Sequence, residues 1–459
     1  MHFHRFALGL IALLISAPAV AETHTPTATF ETQNGEARPE QATILPLAER
    51  AKVIDASLAE RLDTLIPQLM REEGISMWVL MAREYFEEPV IATMLDAKSF
   101  HARRRTILVF YNPCKSQCEG QEIERLTVSR YGLAGLFEPS WDPAEEPDQW
   151  KAVAGIIAER DPANIAINVS NATRFGDGMT KSQYDAMLAA LAPKYHERIV
   201  SGERLAVRWL ETRTASELEE YGSLVRLAHS LIAEAMSRKV ITPGETTLQD
   251  VQWWYRERIS ELGIKPWFHP SFGIQRQGEE GMLSGDTVIM PGDLLWTDLG
   301  LTYLRLNTDT QHLGYVLKPG ESQVPAGLQQ GLANSNRVQD ILLSHMKVGL
   351  SGNEILARAR ADALAEGLDP SIYSHPIGFH GHGAGTSIGF WDNQEADPRG
   401  EDKLRANTAW AIELTSYAEV PEWGGQRVDF RTEEPAFFDG ESVRYLDGRQ
   451  TVITPIPSD

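Results

Sequence analysis

The chain has 459 residues, with 43 Lys and Arg against 64 Asp and Glu, for a net charge of −21. That length exceeds one ordinary domain, and 42% hydrophobic with 23% charged residues is the balance of a chain able to bury a core. So acidic a protein is excluded from the usual nucleic-acid binders, because DNA and RNA phosphates must be met by clustered cations.

The N-terminus reads first as an address. His2, His4 and Arg5 precede the apolar run Phe6 to Ile15, and Ser16 to Ala21 ends in a small-residue A-x-A exit. This order predicts a secretory signal cleaved after Ala21 and a periplasmic or secreted product. The ten-residue run falls short of the ~20 residues of a membrane span, so no membrane part is expected after cleavage. Residues 22–44, rich in Thr, Pro, Glu and Gln, read as a flexible leader.

From there the pattern alternates. Leu58, Leu62, Leu65, Ile66 and Leu69 recur at helical spacing within 56–73. Strands are expected at 76–81, 106–111 and 163–168, and helices at 146–160 and 182–191. That alternation predicts an α/β domain over 45–207. The only two cysteines, Cys114 and Cys118, are expected to close a small disulfide loop in an oxidising compartment.

A second domain is expected over 208–459. Thr214-Ala215-Ser216-Glu217 has capping-box form and opens a helix through Ala235. Thr247 opens another that closes near Gly263, and two more are expected at 326–347 and 353–366. Strand-like stretches lie near 287–300, 302–316, 408–418, 426–438 and 443–453.

Those strands carry the chemistry. Asp298 follows the apolar Leu294-Leu295-Trp296, and Asp309 comes eleven residues later, a gap that lets the chain turn and return antiparallel. Two apposed carboxylates repel unless protonated or bridged by a cation. Gly378 to Gly385 is a glycine-rich run holding His380 and His382, without the spacing of a phosphate cradle. Glu413 sits inside the apolar Ala409 to Leu414, where a carboxylate is seldom buried without a partner or a metal. Glu433 precedes Ala436-Phe437-Phe438. Two Asp, one His and two Glu make a hard, oxygen-rich donor set suited to two divalent ions such as Mn²⁺, Co²⁺ or Zn²⁺. Such a pair can polarise a carbonyl and activate water for amide hydrolysis.

In these motifs the chain resembles the metallopeptidases of the pita-bread fold, a group spanning methionine aminopeptidase, Xaa-Pro aminopeptidase, prolidase and the metal-free creatinase. The family's Asp-x-Gly matches Asp298-Leu299-Gly300, its G-H-G-x-G matches Gly381 to Gly385, its Ile-Glu matches Ile412-Glu413, and its Arg-Ile-Glu-Asp matches Arg431 to Glu434. The resemblance implies Asp298, Asp309, His382, Glu413 and Glu433 as ligands of two divalent metal ions. It also implies an α/β N-terminal domain followed by an α+β pita-bread C-terminal domain, and a dimer or tetramer. The family usually adds a His four residues before the ligand His and another seven after it. Counted from His382 those positions are Gly378 and Gly389; a third family His falls near Gly281, and a family Arg at His312. His269, His375 and His380 are candidate replacements.

The function implied is an exported metal-dependent aminopeptidase or dipeptidase acting on short peptides, Xaa-Pro bonds among them. Glu413 would shuttle the proton, Arg431 would orient the carboxylates, and His375 and His380 would assist. The alternative is a pita-bread protein with altered chemistry, a creatinase-like amidinohydrolase or a non-catalytic binder.

Overall fold

The computed structural model describes residues 44–113 and 122–458. The expected signal peptide, nearly all of the leader and the Cys114–Cys118 pairing lie outside these residues. Among the described residues no helix is long and apolar enough to cross a membrane.

A helical stretch runs from Leu47 to Glu72, with one π turn at Arg61–Leu65. The chain then builds a six-stranded mixed sheet in the order Glu138–Pro139, Glu124–Thr127, Arg105–Tyr111, Met77–Arg83, Ile165–Ile167, Ile199–Ser201. The two central strands are buried almost end to end, as expected of apolar runs covered on both faces. Met77, Val79 and Met81 point to one side, against Trp150, Val153 and Met187 of helices Gln149–Arg160 and Lys181–Ala190. Trp78 and Leu80 point to the other, against Leu62, Ile66 and Leu69. Helix Glu203–Glu211 crosses the expected domain boundary at 207/208. Its Leu205, Val207, Trp209 and Leu210 pack with Leu62, Ile66 and Leu69 in the core beneath the six-stranded sheet.

The second domain is a layer of helices on a larger sheet. Thr214 and Glu217 form a capping box on helix Ala215–Ala235, Thr247 and Asp250 do the same for Leu248–Glu261, and Ser351 and Glu354 for Gly352–Ala365. Among the described residues the sheet has nine strands. Six run in the order Asp369–Ile372, Thr408–Val420, Gln426–Phe438, Thr310–Val316, Leu294–Leu299, Ser271–Gln275. His375–Ile377, Val443–Tyr445 and Thr454–Ile456 pair alongside them. All pairings are antiparallel except Thr454–Ile456 on Thr310–Val316. The stretch expected as one strand at 443–453 is cut short at Tyr445, and Gly448 turns the chain at φ 79°. Helix Ala326–His345 and helix Gly352–Ala365 cover one face of the sheet through Val338, Leu342, Ile355 and Ala359 on Trp410, Ile412 and Leu414. The other face carries the site.

Candidate metal centre

Strand register assembles the site. Glu413 pairs with Glu433, Glu433 with Gln311, and Gln311 with Asp298. Four side chains on four neighbouring strands therefore stand in one row on one face of the sheet. Asp309 lies two residues before Gln311, on the same side of its strand. His375 pairs with Ala411, two residues before Glu413, and so joins that face. Residues up to 135 positions apart in the chain, Asp298 and Glu433, meet here because antiparallel pairing fixes the register.

Four of these, Asp298, Asp309, Glu413 and Glu433, are like charges. Directly opposed carboxylates destabilise a sheet unless something compensates them. Burial raises Asp298 to about 7, and burial plus the charge of Asp298 raises Glu413 to about 8. Burial and their neighbours push Asp309 and Glu433 well above the ordinary carboxylate range. His375 is 2% exposed, and burial, with His382 nearby, drops its pKa to about 3, so the imidazole is neutral. Its Nδ1 donates to the Pro376 carbonyl at 3.1 Å, which leaves a lone pair on Nε2. That Nε2 faces Asp309 Oδ2 at 3.7 Å, Glu413 Oε2 at 3.8 Å and Glu433 Oε1 at 3.6 Å.

None of those three spacings is a hydrogen bond, yet all suit donors sharing one ion. Asp298 Oδ1, Asp309 Oδ1, His375 Nε2 and Glu433 Oε1 are buried with no hydrogen-bond partner. Buried polar atoms are ordinarily paired, so four orphans turned toward one place mark a missing positive charge. Three overlapping groups could hold cations: His375, Glu413 and Glu433; Asp298, Asp309 and Glu433; and Asp309, His375 and His382. The donor set, four carboxylates and one neutral imidazole, fits divalent metal ions.

The histidines are placed differently from the sequence expectation. His382 was expected to complete the set, with His375 and His380 as helpers. The imidazole that meets the glutamates is His375. His382 is exposed and reaches only Asp309 and His375, its ring standing edge-on to His375 at 4.8 Å and to Trp267 at 5.1 Å. The physical reason is that His375 opens the short strand His375–Ile377, whereas His382 follows a turn. Counted from His375, the seventh residue on is His382, which restores one of the two accessory spacings of the resembled family; the residue four before is Ser371. His380 is turned away, packed on Phe175 at 4.9 Å with its Nδ1 unpartnered. His269 sits with Trp253 and Arg256, outside the cluster. Arg431 bonds Asp429 at 3.2 Å and touches none of the five expected ligands; it acts on Asp298 and Glu413 through charge alone.

Sequence reasoning missed Gln311. Its Nε2 donates to Glu413 Oε1 at 2.8 Å and to Glu433 Oε2 at 2.9 Å. It also missed the support of the histidine loop by the N-terminal domain. Phe379 lies between the guanidinium groups of Arg61 and Arg213, at 4.8 and 4.7 Å, and Glu217 ties those two arginines together at 3.0 and 3.4 Å. Arg174 donates to the His382 carbonyl at 3.2 Å.

On the opposite face of the same strands lies a second cluster. Glu434 takes His229 Nε2 at 2.9 Å and His312 Nε2 at 2.8 Å, and Asp447 holds His229 Nδ1 at 3.0 Å. Burial pulls His229 down, but Glu434 and Asp447 outweigh it and raise it to about 9. Burial pushes Glu434 up, but His312 and His229 outweigh it and hold it at about 2. This cluster is closed: each charge has its counter-charge.

Residues 223–431 match the model of metallopeptidase family M24. The C-terminal domain belongs to that family. No curated protein sequence matches the chain. Among solved structures, an X-Pro aminopeptidase from Thermotoga maritima superposes with a TM-score of 0.58 at 14% identity, over 84% of this chain and 99% of its own. An Xaa-Pro dipeptidase from Bacillus anthracis gives 0.57 at 16%, over 89% of this chain and 100% of its own. A prolidase from Pyrococcus furiosus gives 0.51 at 15%, over 83% and 99%. At such identities the likeness speaks for the fold. It runs through both domains, so the pita-bread domain and the α/β domain before it form the architecture expected of this metallopeptidase group. The domain that carries this match is a peptidase domain.

Proposed function

We propose that this M24 chain is an exported aminopeptidase or dipeptidase that hydrolyses short peptides, Xaa-Pro bonds among them, with two divalent cations at its centre. Asp298, Asp309, His375, Glu413 and Glu433 would hold the ions, with Mn²⁺, Co²⁺ or Zn²⁺ as candidates. The observation that carries this reading is the set of buried, unpartnered oxygens and one imidazole nitrogen turned toward a common point. When bound, the ions would polarise the scissile carbonyl and raise the acidity of water.

The protein's own groups supply the rest. Glu413 is the least buried of the two glutamates, with one oxygen held by Gln311 and the other free. The more exposed of the two, it is the one within reach of substrate to take a proton and deliver it to the leaving nitrogen. His382, exposed beside Asp309, is placed to donate a hydrogen bond to the substrate carbonyl at the open side. Trp267, Tyr373 and His382 line that mouth with aromatic surface, which suits a compact, apolar residue such as proline. The acidic chain, the small-residue exit at Ala21 and the family resemblance support export and an oligomeric state. The test is direct: protein loaded with Mn²⁺, Co²⁺ or Zn²⁺ is incubated with Xaa-Pro dipeptides, longer Xaa-Pro peptides and control dipeptides. Cleavage lost on chelation supports the reading; no cleavage of any of them with any of the three metals refutes it.

A further inference from the structure

The N-terminal domain holds a hollow of about 700 Å³ that shares no residue with the metal centre. Arg83 ends strand Met77–Arg83 and pairs with Arg105, the first residue of strand Arg105–Tyr111; Arg104 comes just before it. Three guanidinium groups therefore line one concavity in a chain of net charge −21. Among the described residues none of the three forms an ion pair, whereas Arg337 and Arg427, exposed elsewhere, hold carboxylates at 2.6 and 2.7 Å.

These cations are held in place. The Arg83 guanidinium lies 5.4 Å from the centre of the Phe86 ring, and that of Arg105 lies 5.9 Å from Trp150. Arg105 also donates from Nε to Gln149 Oε1 at 2.8 Å and from Nη1 to Gln183 Oε1 at 3.0 Å. Both acceptors are neutral amides, so the charge is oriented without being cancelled. Burial lowers the Arg105 pKa, and Asp148, whose carboxylate accepts the Trp150 backbone N–H at 2.9 Å, offsets this only in part.

The lining is rich in unspent donors. Trp150 Nε1 can only donate, and it lies 3.2 Å from Gln183 Oε1. The amide oxygen of Gln183 is thereby fixed toward the indole and Arg105, and its NH₂ has no protein partner among the described residues. The one carboxylate in the lining, Glu84, accepts the Arg104 backbone N–H at 3.3 Å. Arg104 and Tyr85 are held at φ 57° and 64°, left-handed conformations that cost a residue with a Cβ and persist only where the surroundings impose them.

We propose that this hollow binds a small ligand carrying two or more oxyanion groups, phosphates or carboxylates, held by the guanidinium groups of Arg83, Arg104 and Arg105 and by the unspent NH₂ of Gln183. The guanidinium fork matches the paired oxygens of such groups, and the volume lies in the range of small-molecule sites. The site stands whether or not the metal centre hydrolyses peptides.

The test is calorimetric titration of the full chain, stripped of metal and then of chelator, with sodium pyrophosphate and separately with tricarballylate. The wild type should bind one equivalent of at least one probe saturably, and more weakly as NaCl rises. The double variant Arg83→Gln, Arg104→Gln should lose at least ~10-fold in affinity, because charge-assisted hydrogen bonds are removed. Preference for pyrophosphate assigns the site to a phosphate-bearing ligand, and preference for tricarballylate to a polycarboxylate. Hydrogen exchange on the wild type gives a reading that needs no variant: amides of 84–86 and 103–105 should exchange more slowly with the probe bound. No saturable binding of either probe, unchanged affinity in the double variant, or slowing confined to other segments would overturn the proposal.

Discussion

Two clusters of acids and histidines share the same pair of strands and face opposite ways. Glu433 and Glu434 are neighbours in sequence, as are Gln311 and His312, so the pleat sends one of each to either side. On one side Glu434, His229, His312 and Asp447 satisfy one another at 2.8–3.0 Å. On the other, Glu433, Asp309, Asp298 and His375 leave buried atoms without partners. Residue types and burial are similar; completeness of pairing differs. A buried charge with its partner is structure, and a buried charge without one is a binding site for the opposite charge.

The largest break in this contrast should come from the open side. Asp309→Asn removes a buried donor that stands in two of the three cation groups, and several kcal/mol of transition-state stabilisation goes with it, so kcat should fall by about 10³-fold or more. The same variant should melt at a higher temperature than the wild type when both are metal-free, because a repelling buried carboxylate is gone. A thermal melt in chelator checks this, and a lower melting temperature would show that the carboxylates are already compensated.

The closed side should respond in the opposite sense. Glu434→Ala strands two histidines and should destabilise the fold by about 3–5 kcal/mol, seen in a urea unfolding curve. Conversely, His312→Asn should leave metal content unchanged.

Acidity separates the clusters next. In metal-free protein Asp298 and Glu413 take protons in the fold up to about pH 7 and 8, against ordinary values of 3.8 and 4.5. The folded state then binds more protons than the unfolded one between those limits, so stability falls as pH rises through that window. Metal should abolish that slope. The closed cluster has two opposite edges. Glu434, lowered from 4.5 to about 2, contributes fully above 4.5 and loses its contribution as pH falls toward 2. His229, raised from 6.5 to about 9, contributes fully below 6.5 and loses its contribution as pH rises through 9. Melts from pH 4 to 9 with and without chelator read both effects, and a falling slope between about pH 4.5 and 6.5, below the range where His229 loses its contribution, that metal leaves unchanged would count against the open site.

The smallest expected effect lies at the loop. Phe379→Leu removes a ring held between two buried guanidinium groups, contacts that range from about 0.5 to about 2 kcal/mol each. It should cost about 1–2 kcal/mol of stability and lower kcat through a looser His382, with metal content unchanged.

Much of this was legible in the sequence. The order Asp298, Asp309, Glu413, Glu433 follows from carboxylates set in apolar strands, and the capping boxes at Thr214 and Thr247 open helices where expected. The histidine was not legible. His375 and His382 both stand near glycines, and only the pairing of a three-residue strand, too short to show a period, turns His375 inward. Gln311 carried no signal either, because an amide announces no chemistry until the register sets it between carboxylates. Nor could spacing reveal that Arg61 and Arg213 would grip Phe379, since that contact joins residues more than 150 positions apart across two domains.

The measurement that bears most directly on the open centre is metal content after equilibrium dialysis against Mn²⁺, compared among wild type, Asp309→Asn and His312→Asn. The account predicts bound metal in the wild type and in His312→Asn, and its loss in Asp309→Asn. A wild type that emerges free of metal, or metal that persists in Asp309→Asn and vanishes in His312→Asn, would contradict it.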